Sequence, residues 1–418
     1  MGGGEGLAPS EIVAIAALGH EGDGRTDDGR FVPFALPGER VRVQAEAGRL
    51  ILAEILEASP ARVPARCRHF GRCGGCAIQH LEASAYRAWK RELVAAALAA
   101  RGIEGTEIAP LIVVPPNSRR RAVYAAKKSR DGLTLGFHEA GTHRIVDQQK
   151  CPVLVPEIET ALPRLRALLS AIMRNGAVAV MTVLASRSGL DVALALEEGP
   201  ARLSADEREA IAKAAHAADL ARFTLNGETL VERRPPVISA GGMAVTPPPG
   251  AFVQAVEEAE AALCAEVLKG TARAKRVIDL FAGCGAFTLP IARTAGVTAY
   301  EAEPRALAAL MAAFRAATGL KPVKVERRDL FRRPVLAREM KQIDAAVIDP
   351  PRAGARAQAE ELAKSVVPVI VSISCNPATF ARDARILMDG GYRLRRVVPV
   401  DQFLWSPHIE LAATFERG

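Results

Sequence analysis

Apolar and polar positions are patterned differently at the two ends of this chain. Near the start, short apolar stretches at residues 12–15, 31–34, 41–43 and 50–56 are separated by turn-rich segments, such as residues 19–29 and Pro37-Gly38-Glu39. Strands this short, punctuated this often, predict a small β-barrel of the OB type. Across residues 86–100 the period changes, with Lys90, Arg91 and Glu92 set among Leu93, Val94 and Leu98 as on an amphipathic helix. Residues from about 105 to 235 mix both patterns. Arg233-Arg234-Pro235-Pro236 and Thr246-Pro247-Pro248-Pro249-Gly250 then mark a domain entry. Beyond it, apolar runs at 276–281, 297–301, 323–325, 345–348 and 366–373 alternate with helical stretches, the pattern of a parallel, doubly wound sheet. The expected fold class is therefore α/β. A Rossmann-like domain spans 236–418, preceded by a mixed α+β central domain over 61–235 and the barrel over 1–60.

Open sheets of this kind bind ligands at the carboxyl ends of their strands, so the chemistry is sought there. The first run ends Asp279-Leu280-Phe281 and turns through Ala282-Gly283-Cys284-Gly285, where glycines let backbone N–H groups approach a ligand closely. This is not the GxGxxG of dinucleotide folds. One strand on, Glu301 sits where a carboxylate can take both hydroxyls of a ribose, with Glu303 as its rival, and Asp329 is placed to meet an adenine amino group. With Asp349-Pro350-Pro351 ending the run at 345–348, the set points to S-adenosylmethionine as cofactor.

The last run ends Ser374-Cys375-Asn376-Pro377. A lone cysteine is by default a small core residue. On the rim of a cofactor pocket, a thiol can instead add to C6 of a pyrimidine. Addition makes C5 an enolate-like carbon that can accept a methyl group. C5 then carries both methyl and proton, and a base must remove the proton before the thiol leaves. Glu410, in Ser406-Pro407-His408-Ile409-Glu410-Leu411, is the candidate base because burial in an apolar strand raises a carboxylate pKa. His408 is its rival.

Asp349-Pro350-Pro351-Arg352, Ser374-Cys375-Asn376-Pro377 and His408-Ile409-Glu410 resemble the signature of the TrmA/RumA class of RNA 5-methyluridine methyltransferases. The resemblance runs through almost the whole chain. It starts at Phe34-Ala35-Leu36-Pro37-Gly38-Glu39-Arg40-Val41, which resembles the TRAM domain of RNA-modifying enzymes. It implies Cys375 as nucleophile, Glu410 as base, Gln254 of Phe252-Val253-Gln254 as a cofactor contact, and further contacts at Phe281, Glu301, Asp329 and Asp349. Two positions depart from the family: Val256 and Ala286 stand where asparagines are usual, which removes side-chain contacts and leaves the backbone cradle. The implied activity is methylation of a uridine in structured RNA, with 23S ribosomal RNA expected and transfer RNA as the alternative. An amino-methylating enzyme would need an aromatic residue where Arg352 follows Asp349-Pro350-Pro351. A catalytically inactive RNA-binding or ribosome-assembly protein is the reading from another class.

Cys67, Cys73 and Cys76, spaced C-x5-C-x2-C around Gly74 and Gly75, gather three soft ligands in one short loop. Cys151 is the best-placed fourth, since Cys375 and Cys284 are engaged elsewhere and Cys264 lies on an expected helix. Four thiolates suit zinc or an iron–sulfur cluster. The run from Cys67 through Gln79-His80-Leu81 resembles the [4Fe–4S]-bearing members of the family, typically ribosomal-RNA enzymes.

Composition adds a partner. Lys and Arg number 55 against 47 Asp and Glu, a net charge of +8 that suits a polyanion such as RNA. Arg119-Arg120-Arg121 is either a phosphate contact or a solvated edge. No apolar run reaches membrane-spanning length, and Met1-Gly2-Gly3-Gly4-Glu5 lacks the start of a signal peptide. The expected place is the cytoplasm, where seven cysteines stay reduced, with no stable protein partner.

Overall fold

The computed structural model describes residues 10–46, 48–198 and 203–418, so the N-terminal residues read for a leader lie outside it. Among the described residues, three large sheets follow one another along the chain, with a two-stranded ribbon of Ile238–Ala240 and Met243–Val245 ahead of the third. In the first, Ser10–Leu18 pairs antiparallel with Gly24–Thr26 on one side and with Arg40–Glu46 on the other; Phe31–Val32 and Arg49–Glu57 complete the two edges. Alternation turns Val13, Ile15, Val32, Val41 and Val43 inward. The outward Arg40–Glu57 and Arg42–Glu54 pairs, at 2.7 and 3.1 Å, are exposed and add little stability.

The second sheet has seven strands between Arg121–Ser129 and Glu228–Glu232 and is covered by the helices Pro156–Ile172 and Ala205–Ala217. The first helix keeps its register despite Pro163 and buries Ile158, Leu162, Leu165, Leu168 and Leu169 against the strands.

The third sheet holds the chemistry. Its order is Val323–Arg327, Gly296–Glu301, Arg276–Leu280, Ala345–Ile348, Val369–Ser374, Glu410–Arg417 and Tyr392–Asp401. The first five strands are parallel, and their order reverses between Arg276–Leu280 and Ala345–Ile348. The last two run antiparallel as a hairpin. The apolar runs read from the sequence ended at 366–373, so this change of direction was not anticipated.

The segment 83–113, expected in a central domain, is built into this third sheet. Glu82 caps the helix Ala83–Ala99, its carboxylate accepting from Ser84 N at 2.8 Å. Val94 and Leu98 of that helix join the sheet's core, and the short strands Glu107–Ile108 and Ile112–Val113 extend its hairpin edge. Among the described residues, no helix is long and apolar enough to cross a membrane.

Candidate active site

At the carboxyl ends of the parallel strands, where the strand order reverses, lies a cavity of about 700 Å³. Gln254, Phe281, Gly283, Glu301, Asp329 and Asp349 all line it, and so do Cys375 and Glu410. The residues favoured from the sequence for catalysis and cofactor contact thus face one space, whereas the rival base His408 does not.

The turn after Arg276–Leu280 is shaped for close approach. Phe281 takes a left-handed φ of 66°, a strained conformation for an aromatic residue, and Gly283 and Gly285 follow at 55° and 92°. A Cβ at Gly285 would collide with the Leu310 side chain, so only glycine fits there. Glu301 accepts from Gly283 N at 3.0 Å and from Ala302 and Glu303 N at 2.7 and 2.9 Å, which ties the two strand ends together. Its rival Glu303 is engaged as the cap of the helix Pro304–Ala316. Asp329 accepts from Phe331 N at 3.0 Å, and the half-exposed Phe331 ring lies 5.4 Å from Phe281.

Cys375 follows the strand Val369–Ser374, and its neighbour Asn376 starts the next helix. The Asn376 side chain caps Pro377–Asp389 by accepting from Ala378 N at 3.0 Å. The Asn376 amide and the Thr379 hydroxyl both donate to the Arg352 carbonyl, at 3.4 and 3.2 Å. The thiol turn and the Asp349-Pro350-Pro351-Arg352 turn are therefore held as one unit.

Burial governs the electrostatics here. Asp349 is raised well above the usual carboxylate range by burial and by the nearby Glu410 and Asp279. Burial lifts Glu410 to about 7 and Asp279, beneath the glycine turn, also to about 7. Cys375 is pushed to about 11 by burial, then by Glu410 and Asp349, while Arg352 pulls it down. Of the two candidate bases, Glu410 lines the cavity; His408 is not among the cavity-lining residues, and its backbone carbonyl accepts from the buried Lys90 ammonium.

The sequence did not reveal the network behind Glu410. Gln402, on the hairpin loop, donates to Glu410 Oε2 at 2.9 Å and to Gln254 Oε1 at 2.8 Å. Gln254 Nε2 in turn lies 3.5 Å from Asp349 Oδ2. The loop itself is clamped from far away. Lys90, fully buried, pairs with Asp401 at 2.8 Å, Tyr86 donates to Asp401, and Trp405 N donates to Tyr86 at 2.9 Å. Ala77 and Ile78 donate to the Trp405 carbonyl at 2.8 and 3.2 Å. A polar Asp401-Gln402 pair closing an apolar strand was the only available signal.

The arginine triplet proves to be scaffolding. Arg120 is buried, pairs with Glu260 at 2.7 Å and donates to the Gln254 carbonyl at 3.1 Å; Arg121 donates to the Ala251 carbonyl at 3.2 Å. Arg119 stacks over Phe403 at 5.8 Å. These arginines hold the Gln254 loop and the Phe403 loop in place.

Cys67, Cys73, Cys76 and Cys151 are brought near one another. Burial raises Cys76 to about 12 and Cys151 to about 11, and the other cysteines of the group add to both shifts. Among the described residues, no three His, Cys, Asp or Glu side chains are already arranged as a metal cage. The donor set fits a thiolate-bound centre in kind: four thiols in one buried place become ligands when a cation displaces their protons, and the Arg119 guanidinium lies near Cys76 and Cys151.

Comparison with known proteins gives this geometry a family. The tRNA (Uracil-5-)-methyltransferase model matches residues 248–417. An uncharacterized RNA methyltransferase of Brucella suis is 47% identical over 409 residues, covering 97% of this chain and 98% of its own length. The chain belongs to the RNA (uracil-5-)-methyltransferase family. Another member, the 23S rRNA (uracil(1939)-C(5))-methyltransferase RlmD of Halomonas elongata, is 34% identical and covers 97% of this chain and 89% of its own length. The solved Pyrococcus abyssi tRNA (uracil-54, C5)-methyltransferase, in complex with S-adenosyl-L-homocysteine, shares the fold with a TM-score of 0.76. It is 23% identical and covers 97% of this chain and 99% of that one. A 2Fe-2S iron-sulfur cluster binding domain model matches residues 34–104, which include Cys67, Cys73 and Cys76 but not Cys151.

Proposed function

We propose that this family member methylates C5 of a uridine in 23S ribosomal RNA, with S-adenosylmethionine as methyl donor and a transient bond from Cys375 to C6 of the base. The observation that carries the reading is the meeting of Cys375, Asp349 and Glu410 on one cavity at the sheet's switch point. The RlmD relative supports the choice of RNA.

When bound, S-adenosylmethionine supplies an electrophilic methyl group on a cationic sulfur, a charge that favours ionised thiol and carboxylates around it. Phe281, Glu301, Asp329 and Asp349 line the part assigned to it, over the Gly283 turn, and Gln254 joins them from the opposite loop. The target uridine must leave its stack to reach the thiol. Phe252, 72% exposed at the cavity, offers a ring on which a displaced or neighbouring base can stack. The Cys375 sulfur, having lost its proton to solvent, adds to C6 as the thiolate and the ring electron pair moves to C5. C5 takes the methyl group as the methyl–sulfur bond of the donor breaks, its electron pair staying on sulfur and S-adenosylhomocysteine leaving as a neutral thioether. Glu410 then takes the C5 proton, the ring double bond re-forms, and sulfur leaves C6 with its electron pair. A carboxylate with a pKa near 7 is suited to accept a proton and then release it.

Cys67, Cys73, Cys76 and Cys151 are assigned to a [4Fe–4S] cluster, and the first sheet to a TRAM-like RNA-binding barrel. On this assignment, anaerobically purified protein should contain about four irons per chain, the load of one cluster held by four thiolates. Cys76→Ser should lower that content, and zinc in place of iron would refute the assignment. The activity is tested by incubating the protein and S-adenosylmethionine with unmodified 23S rRNA and tRNA separately, followed by nucleoside mass spectrometry. 5-Methyluridine in the 23S rRNA alone is expected. Its appearance in tRNA alone would move the substrate, and its absence from both would defeat the reading.

A further inference from the structure

Gln402 lies just past the strand Tyr392–Asp401 and is only 1% exposed. Its side-chain nitrogen spends both hydrogens, one on Glu410 Oε2 and one on Gln254 Oε1, at 2.9 and 2.8 Å. Its own oxygen is buried and has no partner among the described residues. An interior amide that uses both donors and leaves its acceptor unpaired is held there for donation. Among the described residues, Gln402 is also the only hydrogen-bond donor to the Glu410 carboxylate.

We propose that Gln402 is a positioning residue for proton removal, holding Oε2 of Glu410 so that Oε1 is left to take the C5 proton. Through the same nitrogen it holds the Gln254 oxygen and leaves the Gln254 amino group towards Asp349. One buried amide thereby sets the orientation of both the base and a cofactor-side glutamine. The inference rests on the reading of Glu410 as the base.

Removing the donor should slow proton removal and leave methyl transfer largely intact. The test uses RNA carrying tritium at C5 of uridine and follows methyl transfer and tritium release separately in single turnovers. Gln402→Leu keeps the volume and removes both donors; Gln402→Glu keeps the shape and replaces donors by acceptors. In both, tritium release should slow about 10- to 100-fold, the effect of losing one hydrogen bond to a charged group. Methylated RNA should remain attached to the protein on denaturing gels, as it should with Glu410→Gln. The rising limb of tritium release should move to higher pH, because the Gln402 hydrogen bond favours the ionised form of Glu410.

Urea denaturation reports whether each variant is folded. Parallel loss of methyl transfer and release without trapped RNA, an unchanged pH limb, or loss of the cooperative urea transition in both variants would each overturn the proposal by making Gln402 a packing residue. Wild-type protein that neither releases tritium nor forms an adduct would instead defeat the proposed function itself.

Discussion

The two walls of the cavity are built in opposite ways. On the parallel-strand wall, each group is held by its own turn: Gly283 by the strained Phe281–Gly285 corner, and Cys375 by the Asn376 cap and the Arg352 carbonyl. On the hairpin wall, Gln402 and Glu410 depend on residues more than 300 positions earlier, through Lys90, Tyr86 and the Ala77-Ile78 backbone. The difference teaches that the Cys375 thiol is placed by local geometry, whereas Glu410, the proposed base, is placed by the fold of the whole chain. The loop carrying Cys67, Cys73 and Cys76 ends against the loop of the hairpin that carries Glu410, so the order of the two is structurally linked.

Perturbing each wall should therefore have different consequences. The largest effect on rate is expected from Cys375→Ala, which should lower methylation at least about a thousandfold, as loss of a nucleophile does. Because that wall is local, stability should change by less than about 1 kcal/mol and S-adenosylhomocysteine should still bind. Calorimetry and a methyl-transfer assay on one preparation would check both.

Lys90→Met should act through stability first. It leaves the Asp401 charge buried without its partner, a loss of about 3–5 kcal/mol that urea denaturation would report. Adding Asp401→Asn to Lys90→Met should restore part of that loss, since the uncompensated charge is then gone. If Lys90→Met proved as stable as wild type, the hairpin would not depend on remote clamping.

How far the sequence can be read follows the same division. The parallel wall was legible because its groups fall at the ends of apolar runs and within short motifs: the glycine turn, Asp349-Pro350-Pro351 and Ser374-Cys375-Asn376-Pro377 all lie where expected. Glu410 was found by motif, yet its support was not. Lys90 reads as a charged position beside Arg91 and Glu92 and is fully buried, because an acidic partner from the far end of the chain reaches it. No periodicity carries that information. The arginine triplet misled for the same reason: Arg120 meets Glu260, across 140 residues, and becomes a core ion pair. The segment 107–113 was missed as part of the third sheet because two-residue strands leave no pattern.

The smallest expected effect is on pH dependence. Asp279 and Glu410 both have folded pKa values raised to about 7 by burial, from 3.8 and 4.5. Below about pH 4 both states are protonated and nothing is lost. As pH rises towards 7, the unfolded chain releases these protons while the folded one retains them, so stability falls across that window. Each group should contribute on the order of 1–3 kcal/mol, and Asp279→Asn should flatten the decline in urea melts between about pH 4 and 7. Catalysis should show the opposite sign: Glu410 acts as a base only when ionised, so turnover should rise through about pH 7. A flat stability profile with a falling rate would place the titrating groups elsewhere.

Covalent trapping on 5-fluorouridine-substituted 23S rRNA with S-adenosylmethionine tests the shared cavity most directly. Fluorine at C5 cannot be taken as a proton, so the nucleophile stays bonded to the methylated base. The expected result is a peptide carrying RNA at Cys375, absent in Cys375→Ala and undiminished in Glu410→Gln. An adduct at another residue, or none while RNA still binds, would contradict the assignment of the thiol and the reaction built on it.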